Sequence, residues 1–415
     1  MINYYDIVIL GAGASGLCAG VICSRNGKKT AVLEHMRSPG KKLLVTGNGR
    51  CNLTNTNQDI SNYHSKDDEF VKTVLKEFSQ RDTLEFFRKT GIMTYEKNGY
   101  VYPQSDRADS VLDALLFTLK ENGADLICDI FVKSMEKADG RWLLKTKKGD
   151  FSAQKVIFAL GGLSYALSGS DGCGYFLIKD LGHTMIPSHP ALCPLVCFEG
   201  FFKDVAGVRA DCRMDLYVGE KLIASDEGQL QLTSYGISGI VTFQISRYAS
   251  LAICEGKKPE VYIDFYPGQS EEKLKDILLF LAKNCPKRKS VDAISGLFNR
   301  KLGKLFLKLA GILEDKNFGD LLPDEMDKLV KTIKRFRCTI KEPLGYEKAQ
   351  VTAGGVDISE INPFTMSSLL AEDIYFAGEI IDVDGKCGGY NLQWAWSSAA
   401  VAAQSASGGR CVKGK

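Results

Sequence analysis

Histidine, tryptophan and long apolar runs are scarce in this chain. Its 415 residues include four histidines and three tryptophans. Histidines so few and so widely spaced make no recognisable ligand set, and no metal centre is expected. No apolar run approaches the ~18 residues of a membrane-spanning helix. No basic-then-apolar leader precedes Tyr5, so neither membrane insertion nor secretion is expected. A charge imbalance is also missing: 53 basic against 50 acidic residues, formally +3, singles out no class of partner. Cysteine is plentiful, but the thirteen are scattered, odd in number and without a CxxC pair or zinc-type quartet. Reduced thiols in a cytoplasmic protein fit that usage. With 25% charged and 45% apolar residues the chain reads as globular, and its length suggests about two or three domains.

What is present begins at once. An apolar run from Tyr5 to Leu10 enters Gly11-Ala-Gly13-Ala14-Ser15-Gly16, and a second apolar run closes on Glu34. The pattern is that of a strand, a glycine turn, a helix and a second strand. Gly11 permits the tight turn, Gly13 lets backbone amides approach a pyrophosphate, and Gly16 lets the helix pack close to its strand. The helix N-terminus then faces the phosphates with its partial positive charge. Glu34, about twenty residues on, suits the hydroxyls of a ribose and would repel a ribose phosphate.

Further along, Ser79 with Asp82 reads as a capped helix start, and Asp109 to Leu119 repeats helical spacing. Strand-like runs, Leu126 to Val132 and Trp142 to Thr146, flank the turn Asp139-Gly140, before a third run, Lys155 to Leu160, ends in Gly161-Gly162. From about Ala191 the pattern alternates, as in Met214–Val218 and Val261–Phe265, which predicts antiparallel strands. Helical spacing follows Ser270 and Asp324. Near Asp373–Ala377 the character returns to that of the N-terminal half, and a helix from about Leu392 to Ser405 precedes a tail, Gly408 to Lys415, expected to fray. The expected fold is α/β: a discontinuous Rossmann-like nucleotide-binding domain (1–190 and 345–415), an inserted β-rich domain (191–269 and 336–344) and a helical subdomain (270–335).

Several segments together resemble one family. They are Gly11 to Gly16, Gly47 to Asn55, Ala159 to Tyr165, Gly169 to Tyr175, Thr233 to Gly239, Val351 to Val356, and Phe376-Ala-Gly378-Glu379 continuing to Trp396. The chain is similar nearly end to end to the bacterial FAD-dependent flavoproteins called YhiN-like or aminoacetone-oxidase-like, which include bile-acid dehydro-reductases. That resemblance implies a two-dinucleotide-binding-domain type of flavoprotein with noncovalent FAD. It places the pyrophosphate at Gly11, Gly13, Ala14, Ser15 and Gly16, and the ribose at Glu34. Val132 would meet the adenine through its main chain, and Lys42, Gly49, Arg50, Cys51 and Asn52 would surround the flavin. Ala159, Gly161, Gly162, Gly378 and Glu379 would bring backbone close to the cofactor. Asp384, Gly385, Gly389, Tyr390, Asn391, Leu392 and Gln393 would lie along the ribityl chain and pyrimidine edge, where helix amides stabilise negative charge at N1 and O2. Departures from the family pattern fall at Ala166, Cys173, where an Asp is frequent, Ser234, Ile240 and Leu369.

Catalytic candidates each carry a plainer alternative. Arg50 either polarises a carbonyl or fixes its loop, and Cys51 is either a redox thiol or a buried packing residue. Tyr165, Tyr235 and Tyr390 are either proton donors or packing tyrosines. His183 and His189 read as satisfied structural imidazoles, and the Cys193/Cys197 pair is too small to make a metal site. A dithiol oxidoreductase is not expected, because no CxxxxC or CxxC pair is read beside the flavin motifs. The basic stretch Lys283–Lys308 reads as a solvated face in preference to a nucleic-acid surface. The expected activity is hydride transfer from reduced FAD to a carbon–carbon double bond conjugated to a carbonyl in a small molecule, with NADH or NADPH as transient donor. The competing expectations are an amine oxidase that releases peroxide and an RNA- or partner-binding protein with structural flavin.

Overall fold

The computed structural model describes residues 2–409. Its chain forms two compact units, His189–Ala349 and the flanking segments up to Ser188 and from Gln350. The expected frayed tail lies, from residue 410 on, outside the described residues.

In the first unit β1 (Ile2–Leu10) leads through the glycine turn into α1 (Ala14–Arg25) and then β2 (Thr30–Leu33). After α2 (Ala108–Glu121) come β3 (Asp125–Ile127), β4 (Val132–Ala138), β5 (Arg141–Thr146) and β6 (Asp150–Phe158); β7 (Ile374–Phe376) and α3 (Tyr390–Ala406) return from the far end of the chain. The sheet order is β3-β2-β1-β6-β5-β4, with β7 also on β6. The pairings of β1, β2, β3, β6 and β7 are parallel. Val8, Ile9 and all of β2 are buried, as strands covered on both faces must be. The run expected from Leu126 to Val132 is in fact two strands, because the chain breaks after Ile127 to pass the end of β2; there Ile130 N donates to Glu34 O at 2.9 Å. Asp139 and Gly140, both at positive φ, make the tight turn between β4 and β5.

Alanines make the α1–α3 contact possible. Ala399, Ala400, Ala402 and Ala403 are fully buried, as are Cys18, Ala19 and Gly20, so two backbones approach where larger side chains would hold them apart. Elsewhere helices start on polar caps: Ser79 forms the expected capping box with Asp82, and Ser270 Oγ accepts from Lys273 N at 3.2 Å.

The second unit is a closed antiparallel barrel in the order Leu195–Cys197, Gly236–Gly239, Lys221–Thr233, Arg209–Val218, Pro259–Asp264, Phe336–Pro343. Helices Glu271–Asn284, Arg300–Ala310 and Pro323–Lys334 turn Leu274, Leu278, Phe306 and Ile333 into the same apolar cluster as Leu216, Ile263 and Phe336 of the barrel.

His183 lies in the first unit and is structural. Its side chain is fully buried, Nδ1 is 3.0 Å from Glu360 Oε2 and Nε2 is 2.8 Å from Ser368 Oγ. Ser368 Oγ already accepts from Leu370 N and Ala371 N, so its hydroxyl donates to Nε2 and the imidazole is neutral with hydrogen on Nδ1. Burial holds its pKa below the ordinary 6.5, against the pull of Glu360. The native state therefore binds fewer protons here than the unfolded chain. The contribution is whole above the unfolded value and is lost as pH falls through the lowered native one. His183→Gln should flatten the acid side of a plot of denaturation midpoint against pH; an unchanged slope would contradict the assignment.

Candidate cofactor site

The three glycines of the first turn divide the labour as their positions require. A Cβ at Gly11, whose φ is +101°, would stand 2.4 Å from Ala159 O, and one at Gly16 would stand 1.8 Å from Gly11 O. At Gly13 nothing lies within 4 Å. Gly11 and Gly16 are thus packed against backbone, whereas Gly13 faces open space at the head of α1. No side chain caps that helix and no acid occupies its first turn, so the amides of Ala14, Ser15 and Gly16 are left for an anion.

Glu34 is buried at the end of β2. Its Oε2 accepts from Ala12 N and its Oε1 from Met36 N, both at 2.8 Å. Burial opposes its charge, but hydrogen bonds from His35, Met36 N and Ala12 N outweigh that and hold its pKa low. Oε2 keeps a second lone pair for a ribose hydroxyl, while Oε1 is also 3.2 Å from His35 Nδ1. Beside it His35, close to Cys173 and Glu34, is pushed up to about 10. Val132 opens β4 in the segment tied to Glu34 by Ile130.

A second constellation forms where the Gly47–Asn55 loop meets α3. This helix also starts on a glycine, Gly389 at φ +94°, with no side-chain cap and no acid in its first turn. A Cβ there would lie 2.7 Å from Thr54 O and 3.0 Å from Asn52 Oδ1. Asn52 is buried and its Oδ1 makes no hydrogen bond, an acceptor for a ligand donor. Asn391 locks the preceding turn by accepting from Gly385 N at 2.8 Å and donating to Gly385 O at 2.7 Å. Asp384 is buried on the two-residue strand that pairs Asp384 with His64 and Gly385 with Tyr63. Leu392 is half-buried against the core.

Gln393 is fully buried and structural. It accepts from Thr54 Oγ1 at 2.6 Å and donates to Thr83 Oγ1 and Ser397 Oγ at 2.9 and 2.8 Å. Lys42, expected at the cofactor, pairs with Glu379 at 2.6 Å, and Glu379 Oε1 accepts from Thr352 N at 2.7 Å. Thr352 is a residue the sequence argument missed. Its hydroxyl accepts from Leu163 N and Ser164 N, and a Cβ on Gly162 would stand 2.5 Å from it. The only hint was its place in the Val351–Val356 motif. Gly161 packs on Ser170 Oγ, and Gly378 on Ser15 Oγ. The open face of Gly13, two uncapped helix starts and the orphan Asn52 oxygen fit an FAD.

The catalytic candidates sit differently. Arg50 follows Gly49 (φ +82°), is half-buried, and holds its guanidinium 4.6 Å over the Tyr102 ring without an ion pair among the described residues. Tyr165 is half-buried with φ +62°, a position that costs a bulky residue about 1–2 kcal/mol and gathers at functional sites. Tyr390 is buried with its ring edge-on to Tyr63 at 5.6 Å, which favours the packing role. Tyr235 belongs to the second unit, where its carbonyl accepts from Cys197 N.

Cys51 is fully buried, and burial pushes its thiol up to about 12, which removes the redox-thiol reading. Cys18 and Cys23 do stand at CxxxxC spacing, contrary to expectation, but each turns its sulfur to a carbonyl of α3, Trp396 O at 4.0 Å and Ala403 O at 3.8 Å. Burial raises both. A disulfide reagent applied to the native protein at pH 8 should therefore modify exposed Cys254 first among the described cysteines and leave Cys18, Cys23 and Cys51 unlabelled on peptide mapping. Early labelling of any of the three would contradict their burial. Cys193 faces Ser246 and Ser250, while Cys197 faces Cys338, so that pair does not converge. In the basic stretch Arg300, Lys304 and Lys308 pair with Asp292, Glu314 and Asp204, as on a solvated face.

A parallel sheet, a glycine turn into α1, an acid closing β2 and a second glycine-started helix define an FAD-dependent oxidoreductase of the Rossmann type. The chain belongs to the HI0933-like family, whose Rossmann-domain profile matches residues 5–405. It is 38% identical over 402 residues to a 3-dehydro-bile acid delta(4,6)-reductase of Clostridium scindens, covering 96% of this chain and 98% of that one. It is 30% identical over 414 residues to a ribosomal RNA dihydrouridine synthase of Haemophilus influenzae, covering 98% and 100%. A solved structure, 3-ketosteroid delta1-dehydrogenase from Sterolibacterium denitrificans in complex with 1,4-androstadiene-3,17-dione, shares the fold over 98% of this chain and 100% of its own, with a TM-score of 0.51 at 11% identity. Among the described residues no helix is long and apolar enough to cross a membrane.

Proposed function

We propose that this protein reduces a carbon–carbon double bond conjugated to a carbonyl in a small molecule, using noncovalent FAD and a nicotinamide donor. The observation that carries the reading is a shared chemistry. The names of two relatives, matched over nearly their whole length, describe additions of hydrogen to such a bond, in a 3-dehydro bile acid and in uridine. Bound flavin would supply the hydride, with NADH or NADPH as its source.

The chain's own residues supply the rest. The uncapped first turn of α3 would offer its amide hydrogens to negative charge on a reduced flavin. Arg50 polarises the substrate carbonyl, and a tyrosine hydroxyl, Tyr165 in the first instance, delivers the proton to the α-carbon. The higher identity to the bile-acid reductase favours a rigid polycyclic enone. The full-length match to the dihydrouridine synthase supports a second reading, a pyrimidine within RNA.

Anaerobic stopped-flow absorbance tests both. NADH or NADPH should bleach the flavin, and a 3-oxo-4-ene steroid should restore its colour much faster than air. Faster restoration by a ribosomal RNA transcript would select the second reading. Rapid reoxidation by air with peroxide release would sink both in favour of an oxidase. Arg50→Ala should keep its FAD and lose about 100-fold in turnover, a typical cost of removing one oxyanion donor; loss of FAD would mark Arg50 as a loop residue.

A further inference from the structure

Just past the end of β2, three side chains able to ligate a metal meet: His35, Asp171 and Cys173. One ligand atom from each lies within 4.8 Å of the others. The imidazole is oriented from behind, with Nδ1 3.2 Å from Glu34 Oε1, so the other nitrogen is the one offered to the cluster. That Nε2 is buried and stands 3.8 Å from Asp171 Oδ2, with the Cys173 side chain beside the imidazole. A metal-ligating histidine is held in this way, its far nitrogen donating to a carboxylate while the near one binds the cation.

The loop opposite is equally prepared. Asp171 Oδ1 accepts from Cys173 N at 2.9 Å, which leaves Oδ2 for the cluster, and Gly172 at φ +73° makes the turn between the two ligands. Gly169 is pressed against the same place: a Cβ there would stand 2.6 Å from Met36 and 2.9 Å from His35.

We propose that His35, Asp171 and Cys173 form a site for a divalent cation of the zinc class, with water as the fourth ligand. A donor set of one imidazole nitrogen, one thiolate and one carboxylate suits Zn²⁺ and not Mg²⁺ or Ca²⁺, which take oxygen alone. Tetrahedral bonds of about 2.0–2.3 Å require the three ligand atoms to close by about 1 Å, within reach of side-chain rotation at Cys173. On loading, a Zn–S bond replaces the S–H bond and a Zn–N bond replaces any proton on Nε2. The protons leave to solvent and no oxidation state changes. The cation ties the loop that follows Gly161 and Gly162 to the strand end that carries Glu34.

The test uses untagged, yellow holoprotein stripped of metal and titrated with Zn²⁺ against a chromophoric chelator, followed by zinc-edge X-ray absorption. One equivalent should bind, with one sulfur at about 2.3 Å and nitrogen or oxygen at about 2.0 Å. Cys173→Ser should lose the sulfur scatterer and weaken binding at least tenfold while keeping its FAD. His35→Gln should weaken it too, and Cys254→Ser should change nothing. Failure to bind one equivalent, a first shell without sulfur, or stoichiometric zinc undisturbed in Cys173→Ser would overturn the proposal.

Discussion

Gly13→Val is expected to fold normally and to purify colourless. The backbone at Gly13 (φ −81°, ψ −167°) is one any residue adopts, and its absent side chain points where no protein atom lies within 4 Å. Stability should therefore change by no more than about 1 kcal/mol, as for other substitutions that bury and clash with nothing. The isopropyl group instead fills the space through which a pyrophosphate reaches the amides of Ala14, Ser15 and Gly16. Losing two or three hydrogen bonds to a charged ligand, at roughly 1.5–3 kcal/mol each, weakens FAD by about a hundredfold or more. Flavin absorbance per protein after desalting reads the effect, and circular dichroism checks the fold. A variant that stays stoichiometrically yellow would remove the pyrophosphate from this turn.

Gly11→Ala, two residues earlier and a smaller change, should do the opposite: damage the fold first. At φ +101° an alanine is strained, and its Cβ would stand 2.4 Å from the carbonyl oxygen of Ala159, a backbone atom at the end of β6 that no rotamer can move aside. Left-handed strain of about 1–2 kcal/mol and overpacking of about 1–3 kcal/mol together put the loss near 2–5 kcal/mol. The denaturation midpoint of the first unit should fall accordingly, with FAD lost as a consequence. A Gly11→Ala protein as stable as the parent would mean that the turn is not built as described.

These two glycines mark how far the sequence could be read. Their spacing, the apolar strand before them and Glu34 after them announced a dinucleotide fold, because that turn admits few other solutions. The capped helix at Ser79 and the tight turn at Asp139-Gly140 were equally legible, since caps and turns are local. Side-chain partners were not. Lys42 and Glu379 are 337 positions apart and meet as an ion pair, and Thr352 organises the amides after Gly162 from 188 positions away. Cys18 and Cys23 have the spacing of a redox pair, and only the burial of both against α3 shows them to be inert. His35 and Cys173, 138 residues apart, carry no shared motif; they meet because β2 and the loop after Gly169 end at the same place.

The sequence by itself determined the fold class, the cofactor-binding turn and the family, because backbone geometry at a glycine turn and the burial of a parallel strand are written in adjacent residues. Tertiary structure alone decided which polar side chains are spent on one another and which remain for a ligand. Desolvation, hydrogen bonding and pKa depend on neighbours that the chain brings together only by folding.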